Sequence, residues 1–275
     1  MFELILLFIA LVGSFIAGIY DLKTTNVPDK VCLAMIILGL LTHIYSGAVT
    51  GDFTNLRDSL IFGGVFLAFG IAMYYTGQWG GGDGELLLAI GVVLPHLSFV
   101  NTYFPFAISF FINSFFVGAI YAIIFSLFMM YQNRKIYRSF KNRFKDKQTR
   151  LVLFSLAVVS ILFLISYKIF LFSISSILVA LIVFQKFAKS VEEGFLKRIP
   201  VSKLKIDDTI GQNIPDLGIY QKLIRGLTEE EVRKIKRHKK YIIIKEGIRY
   251  GIVFPLTLVF TLLFGDLIFL FFHLL

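Results

Sequence analysis

Long apolar runs constrain this chain more than any other feature. Residues 3–20, 31–49, 59–76, 85–100 and 103–131 are dominated by Leu, Ile, Phe, Val, Ala and Gly, and further runs cover 151–185 and 250–275. Most reach or approach the roughly 20 residues that a helix needs to cross a bilayer. With 31 Phe in 275 residues and 57% hydrophobic composition, the chain is richer in apolar side chains than a soluble core requires. The expected fold is all-α: a polytopic transmembrane helix bundle of about six to eight spans with a small cytosolic insert. Residues 4–20 read as a retained span. No positive segment precedes them, and no small-residue cleavage pattern follows.

Charge orients the spans. Of 28 Lys and Arg, eight fall in 132–150 and sixteen in 186–249, giving a net charge of +10 that sits in two blocks flanking apolar runs. Nucleic acid is not the partner this suggests. Basic loops beside spans are cytosolic by the positive-inside rule, so the lipid bilayer is the partner. Counting back from a cytosolic 132–150 loop places Asp21 and Asp83 at the same, cytosolic, face. The 35 residues of 151–185 read as a hairpin turning at Tyr167-Lys168, which returns the second basic block to the cytosol.

The chain thus divides into a transmembrane core, 1–131, a basic loop, 132–150, a hairpin, 151–185, a cytosolic insert, 186–249, and a last span, 250–275, with Pro255 in its first turns. In the insert, Thr228 and Glu231 form a capping box that opens a helix reaching about Lys240. Asp207-Asp208 and Pro215-Asp216-Leu217-Gly218 read as turns. The single cysteine, Cys32, excludes an intrachain disulfide and a Cys-based zinc site, and packing is its expected role. His43, His96, His238 and His273 show no metal-ligand spacing, so no metal is expected.

Two acidic positions stand out. Asp83 follows Gly77-Gln78-Trp79-Gly80-Gly81-Gly82 at the edge of an apolar run, and Asp21 closes the first run in Tyr20-Asp21-Leu22-Lys23. Ionisable groups at membrane depth are costly and mark function. Two carboxylates brought together share a proton, the arrangement with which aspartic proteases activate water and polarise a carbonyl. The glycines before Asp83 would let a substrate backbone lie close. The plainer readings are that Asp83 caps a helix, Asp21 sits in a loop, Lys23 is a topology charge and Pro28 starts the second span. Trp79 belongs to an interfacial belt or lines a substrate groove. Asp52, Asp58 and Asp266 are expected to face outward or solvent.

An Asp after the first span, then a basic residue and Val27-Pro28-Asp29, then Gly80-Gly81-Gly82-Asp83 after the third, resembles the type IV prepilin peptidases, the GxGD intramembrane aspartic peptidases. The likeness is strongest to their archaeal preflagellin and prepilin branch, and its specific motifs cover roughly 1–130. The resemblance implies that Asp21 and Asp83 are the catalytic pair of an endopeptidase without cofactor, in the plasma membrane with its active site facing the cytosol. It implies that Gly80, Gly81 and Gly82 border the substrate. The partners would be precursors with pilin-like signal peptides, trimmed of a short basic leader that Glu85 and Asp29 could attract. The chain departs from bacterial relatives in having Glu85 where they carry Lys and in lacking their cysteine zinc domain, so methylation of the product is not expected. Other readings of the same acids are a presenilin or signal-peptide-peptidase-like protease, a proton-coupled transporter, and an inactive scaffold.

Overall fold

The computed structural model describes residues 2–166, 169–206, 208–220, 226–245 and 247–267. The Tyr167-Lys168 turn, Asp207 and His273 lie outside them. In chain order the elements are α1 (Phe2–Thr24), α2 (Asp29–Thr50), α3 (Thr54–Tyr75), α4 (Gly81–Val93), α5 (Phe106–Gln132), α6 (Arg134–Arg143), α7 (Lys147–Ile165), α8 (Ile169–Gly194), β1 (Leu196–Pro200), β2 (Thr209–Ile210), α9 (Glu229–His238), β3 (Tyr241–Lys245) and α10 (Val253–Phe264). Among the described residues, six helices are long and apolar enough to cross a membrane: α1, α2, α3, α5, α7 and α8. This is a multi-pass membrane protein.

The chain forms two compact units, one of residues up to Ala122 together with those from Gly247, the other centred on 123–246. In the first unit, α1 shows how the sequence sorts its faces. Leu6, Ala10, Ser14, Ala17 and Asp21 recur at helical spacing and are buried, whereas Leu4, Phe8, Ile16 and Ile19 are exposed, as lipid-facing residues are. α2 begins just after Pro28 and ends at Gly51, whose φ of +77° closes the helix.

The centre of this unit is α4. Leu86, Leu87, Ala89, Ile90 and Val93 are wholly buried, and the helix packs against α1, α2 and α3. Its 13 residues rise only about 20 Å, short of the roughly 30 Å of hydrocarbon in a bilayer. The span expected over 85–100 is therefore a short helix, ended before Pro95, which has no N–H to continue it. Carbonyls freed at a buried helix end need partners. Ser59 donates its hydroxyl to Val92 O, and His43 Nε2 reaches Val92 O and Val93 O at 3.2 and 3.3 Å. Helices α3 and α4 approach closely: a Cβ added to Gly70 would lie 2.8 Å from Gly84 Cα.

Two expectations about acids are corrected here. Asp266 does not face solvent: it is 3% exposed and accepts the backbone N–H groups of Tyr103 and Phe104. Asp58 is turned inward enough to accept from His96 at 2.8 Å and from Arg57 at 2.9 Å. Burial drives the first, because Asp266 satisfies backbone donors inside the fold; Asp58 is drawn in by its two cationic or polar neighbours, Arg57 and His96. Asp52 is exposed, accepting Thr54 N–H at the start of α3. α10 is held by Asn113, whose amide donates to Thr261 Oγ1 and Gly265 O.

In the second unit α7 and α8 pack against each other, with buried Ser160 donating to Ser175. Helix α8 continues to Gly194, past the boundary at 185 read from the sequence. The basic loop contains a helix of its own, α6, capped by the Asn133 side chain on Lys135 N–H. At the start of α7, Asp146 accepts from Thr149 N and Oγ1, which holds its carboxyl below the usual range. The capping box of Thr228 and Glu231 opens α9 as expected, and the helix ends at His238. The insert is not helix alone. β1, β3 and β2 form an antiparallel sheet in that order, closing a core of Ile199, Ile210, Ile235, Ile242 and Ile244 with their neighbours. The membrane part is all helix; the sheet belongs to the insert.

The α3–α4 contact leaves no room for a side chain. Gly70→Val should lower the thermal unfolding midpoint of the purified protein, with a cost of about 1–3 kcal/mol. Gly64→Ala, with nothing within 4 Å of the new methyl, should leave it unchanged.

Candidate functional site

Asp21 lies in the last turn of α1, on that helix's buried stripe, and is 6% exposed. The sequence reading ended the first span at Tyr20; the helix runs on to Thr24, so Asp21 is held by helical backbone instead of a loop. Its carboxylate accepts the backbone N–H of Gly251 at 2.9 Å. A Cβ at Gly251 would lie 3.0 Å from the Asp21 Cβ and Oδ2, so only glycine brings its N–H this close without displacing the carboxylate. Gly18, one turn earlier, clears the same strand of chain: a Cβ there would meet Ile252 Cα at 2.9 Å.

Asp83 is the third residue of α4 and half-buried. It accepts the N–H of Gly80 at 3.1 Å, an acid closing back on its own helix start, where the helix dipole favours negative charge. Gly80 has no side chain to return the bond. The capping reading of Asp83 thus holds as geometry, and it leaves the other carboxylate oxygen free of that bond. Helices α1 and α4 pack together, and Asp21 and Asp83 are within electrostatic reach of each other.

The glycines divide their work. Gly82 is filled by packing, since a Cβ there would be 2.6 Å from Val27 Cβ; it is not open space for a substrate. Gly80 and Gly81 are exposed, with nothing nearer than Asp83 Oδ2 at 3.4 Å and the Tyr74 ring at 3.9 Å, so the approach to Asp83 is open on that side. Asp29 stands exposed in the first turn of α2, half-buried Glu85 sits one turn into α4, and the two are close enough to repel. Four carboxylates, Asp21, Asp29, Asp83 and Glu85, therefore gather where α1, α2 and α4 meet. Among the described residues no group of three or more His, Cys, Asp or Glu side chains could hold a metal ion. Cys32 is buried and unpaired, as packing required.

The segment before α10 supplies what the sequence reading missed. Arg249 donates to Leu22 O and is close enough to Asp21 to act on its charge, while Tyr121 donates its hydroxyl to Arg249 O at 2.9 Å. Tyr250 donates to Ser114 O and packs its ring 5.6 Å from that of Trp79. Trp79 also meets Phe69 and Phe254 at 5.5 and 5.8 Å, so it is a wedge between α3 and α10. A Gly251 four residues before Pro255 would have been the available signal, but nothing in the local sequence ties it to Asp21. Trp79 is the chain's only tryptophan, so its emission reports whether this segment is docked. Tyr250→Ala should shift that emission to longer wavelength, and Tyr250→Phe, which keeps the ring, should not.

Comparison with known proteins converges on the same part of the chain. Residues 6–123 match the type IV leader peptidase family. A preflagellin peptidase of Methanocaldococcus jannaschii is 34% identical over 84 residues, covering 30% of this chain and 36% of that one. A preflagellin peptidase of Methanococcus voltae is 28% identical over 137 residues, 46% of this chain and 56% of its own. Prepilin peptidase EppA of Methanothermobacter thermautotrophicus is 27% identical over 164 residues, 55% and 43% respectively. The chain thus spans between about a third and just over half of the length of these relatives. The region that holds Asp21, Asp83 and the glycines between α3 and α4 is the region similar to the type IV leader peptidase family.

Proposed function

We propose that this protein is a membrane-embedded aspartic endopeptidase that removes the short basic leader of a prepilin-like or preflagellin-like precursor at the cytosolic face. The observation that carries the reading is the pairing of Asp21 with Asp83 at one end of the α1–α4 packing, inside the segment that matches the leader peptidases. Two neighbouring carboxylates share one proton, so the ionised member takes a proton from water while the protonated member polarises the scissile carbonyl. The pair titrates as a unit and neither residue is fixed as acid or base. Gly251 N–H holds one oxygen of Asp21, and Gly80 N–H holds one oxygen of Asp83, which leaves the remaining oxygens for water and substrate. Arg249 supplies a positive charge beside a dyad that carries at least one negative one.

The open flank at Gly80 and Gly81 supports entry of an extended substrate backbone. The acids Asp29 and Glu85 beside it suit a basic leader, and the face on which basic loops gather is the cytosolic one. The bundle of apolar spans suits a substrate whose cleavage point precedes a hydrophobic segment.

The test is cleavage of pilin-like and flagellin-like precursors by membranes carrying the protein. Asp21→Asn and Asp83→Asn should each lower the rate by roughly 10³-fold or more at unchanged expression. Near-full activity in either would remove that residue from the chemistry. Glu85→Lys and Asp29→Lys should each reduce kcat/KM by about two- to fivefold through KM, the size of a partly exposed charge pair, and the loss should shrink at high salt. Unchanged KM in both would remove the leader-attraction role.

A further inference from the structure

The basic block between α5 and α7 builds a site of its own, apart from the carboxylates. Because α5 and α7 are both long and apolar enough to cross a membrane, the ten-residue α6 that joins them would emerge with their ends at the level of the lipid headgroups. One side of α6 is packed down: Ile136 is 2% exposed and fits over Gly194 of α8, where a Cβ would be 2.2 Å from its Cδ1, and Phe140 meets Phe187 edge-on at 6.0 Å. The other side is an open cleft of about 550 Å³ lined by Lys135, Arg138, Ser139, Asn142 and Arg143, with Glu193 of α8.

The charges in this cleft do not balance. Glu193 is its one carboxylate, and it already accepts from both Ser139 and Arg143. Lys135 and Arg138 are exposed and have no carboxylate partner among the described residues. A neighbouring cleft of about 270 Å³ shares Arg143 and Glu193, but there Lys245 is paired with Glu192 at 2.7 Å. Within the larger cleft the uncompensated charge is therefore carried by Lys135 and Arg138, while the smaller one adds Lys189.

We infer that the cleft between α6 and α8 binds the phosphate of an anionic lipid headgroup. A guanidinium presents two parallel N–H groups to phosphate oxygens, an ammonium adds a mobile charge, and the Asn142 amide can meet the polar headgroup beyond. Position selects the lipid over a dissolved anion, because a helix pinned between two spans is held where lipid phosphates are concentrated. Tyr137, 53% exposed beside Arg138, has the ring and hydroxyl suited to that boundary. A basic leader peptide would be repelled here, so this is not a second docking point for the proposed substrate.

The experiment is a native mass-spectrometric titration of the full-length protein, purified in neutral detergent, with phosphatidylglycerol and with phosphatidylcholine. The wild type should retain phosphatidylglycerol and not phosphatidylcholine. The double variant Lys135→Gln, Arg138→Gln should lose at least about tenfold in apparent affinity, with an unaltered size-exclusion profile. Exchanging the two charges, Lys135→Arg with Arg138→Lys, should keep the lipid bound; loss in that variant would assign the effect to packing and overturn the inference. Equal binding of the two lipids, or equal phosphatidylglycerol binding by wild type and the Gln variant, would overturn it too. Inorganic phosphate competing at the same concentration as the lipid would mark a free-anion site and sink the lipid assignment.

Discussion

A carboxylate on the buried face of an apolar helix cannot be left to itself, and much of the first unit follows from how Asp21 is accommodated. Its hydrogen bond comes from the backbone of Gly251, so the segment leading into α10 must run against the end of α1. That approach requires glycine at both Gly18 and Gly251, and it brings Arg249 beside the acid as compensating charge. The same logic recurs away from the site. His43 and Ser59 take the carbonyls at the end of α4, Asn113 serves Thr261 and Gly265, and Asp266 takes the amides of Tyr103 and Phe104. In surroundings without water, an unpaired polar group costs several kcal/mol, so the buried polar residues of this unit read as fastenings between helices.

The spans were legible because bilayer length and apolar composition are properties of single segments. That Asp21 and Asp83 come to the same end of their helices was legible because consecutive helices alternate in direction. The capping box at Thr228 and Glu231 could be read for the same reason: both partners lie within one turn. What could not be read depends on partners far away in sequence. Arg249 looked like one more charge in a basic block, and Gly251 like an ordinary start to a span, yet both act on a residue more than two hundred positions earlier. They also lie outside the 6–123 region that similarity to known peptidases covers. Gly82 was read as space for a substrate, but Val27 fills that space, which only the packed helices reveal. The insert's sheet escaped because β2 has two residues and β3 is the continuous run Tyr241–Lys245, where alternation is hidden by three consecutive isoleucines.

Glycine does different work along the first unit. At Gly51 and Gly77 the backbone itself requires it, since both take positive φ. At Gly70 and Gly84 the absence of a side chain lets two helix backbones meet, the small-residue packing on which membrane helices rely in place of a hydrophobic driving force. At Gly80 and Gly81 the space stays open, and that opening lies beside Asp83.

The bond from Gly251 to Asp21 closes a loop of 230 residues. Such a closure is entropically mild, since doubling the intervening length adds only about 0.6 kcal/mol, and this leaves the interval free to carry a folded insert of almost any size. It also sets a timetable. A chain emerging from the ribosome can seat α1 to α4 in the bilayer long before residue 251 exists, and during that time Asp21 lacks the donor that orients it. Until the segment leading into α10 docks, the end of α1 carries a buried carboxylate without its backbone donor.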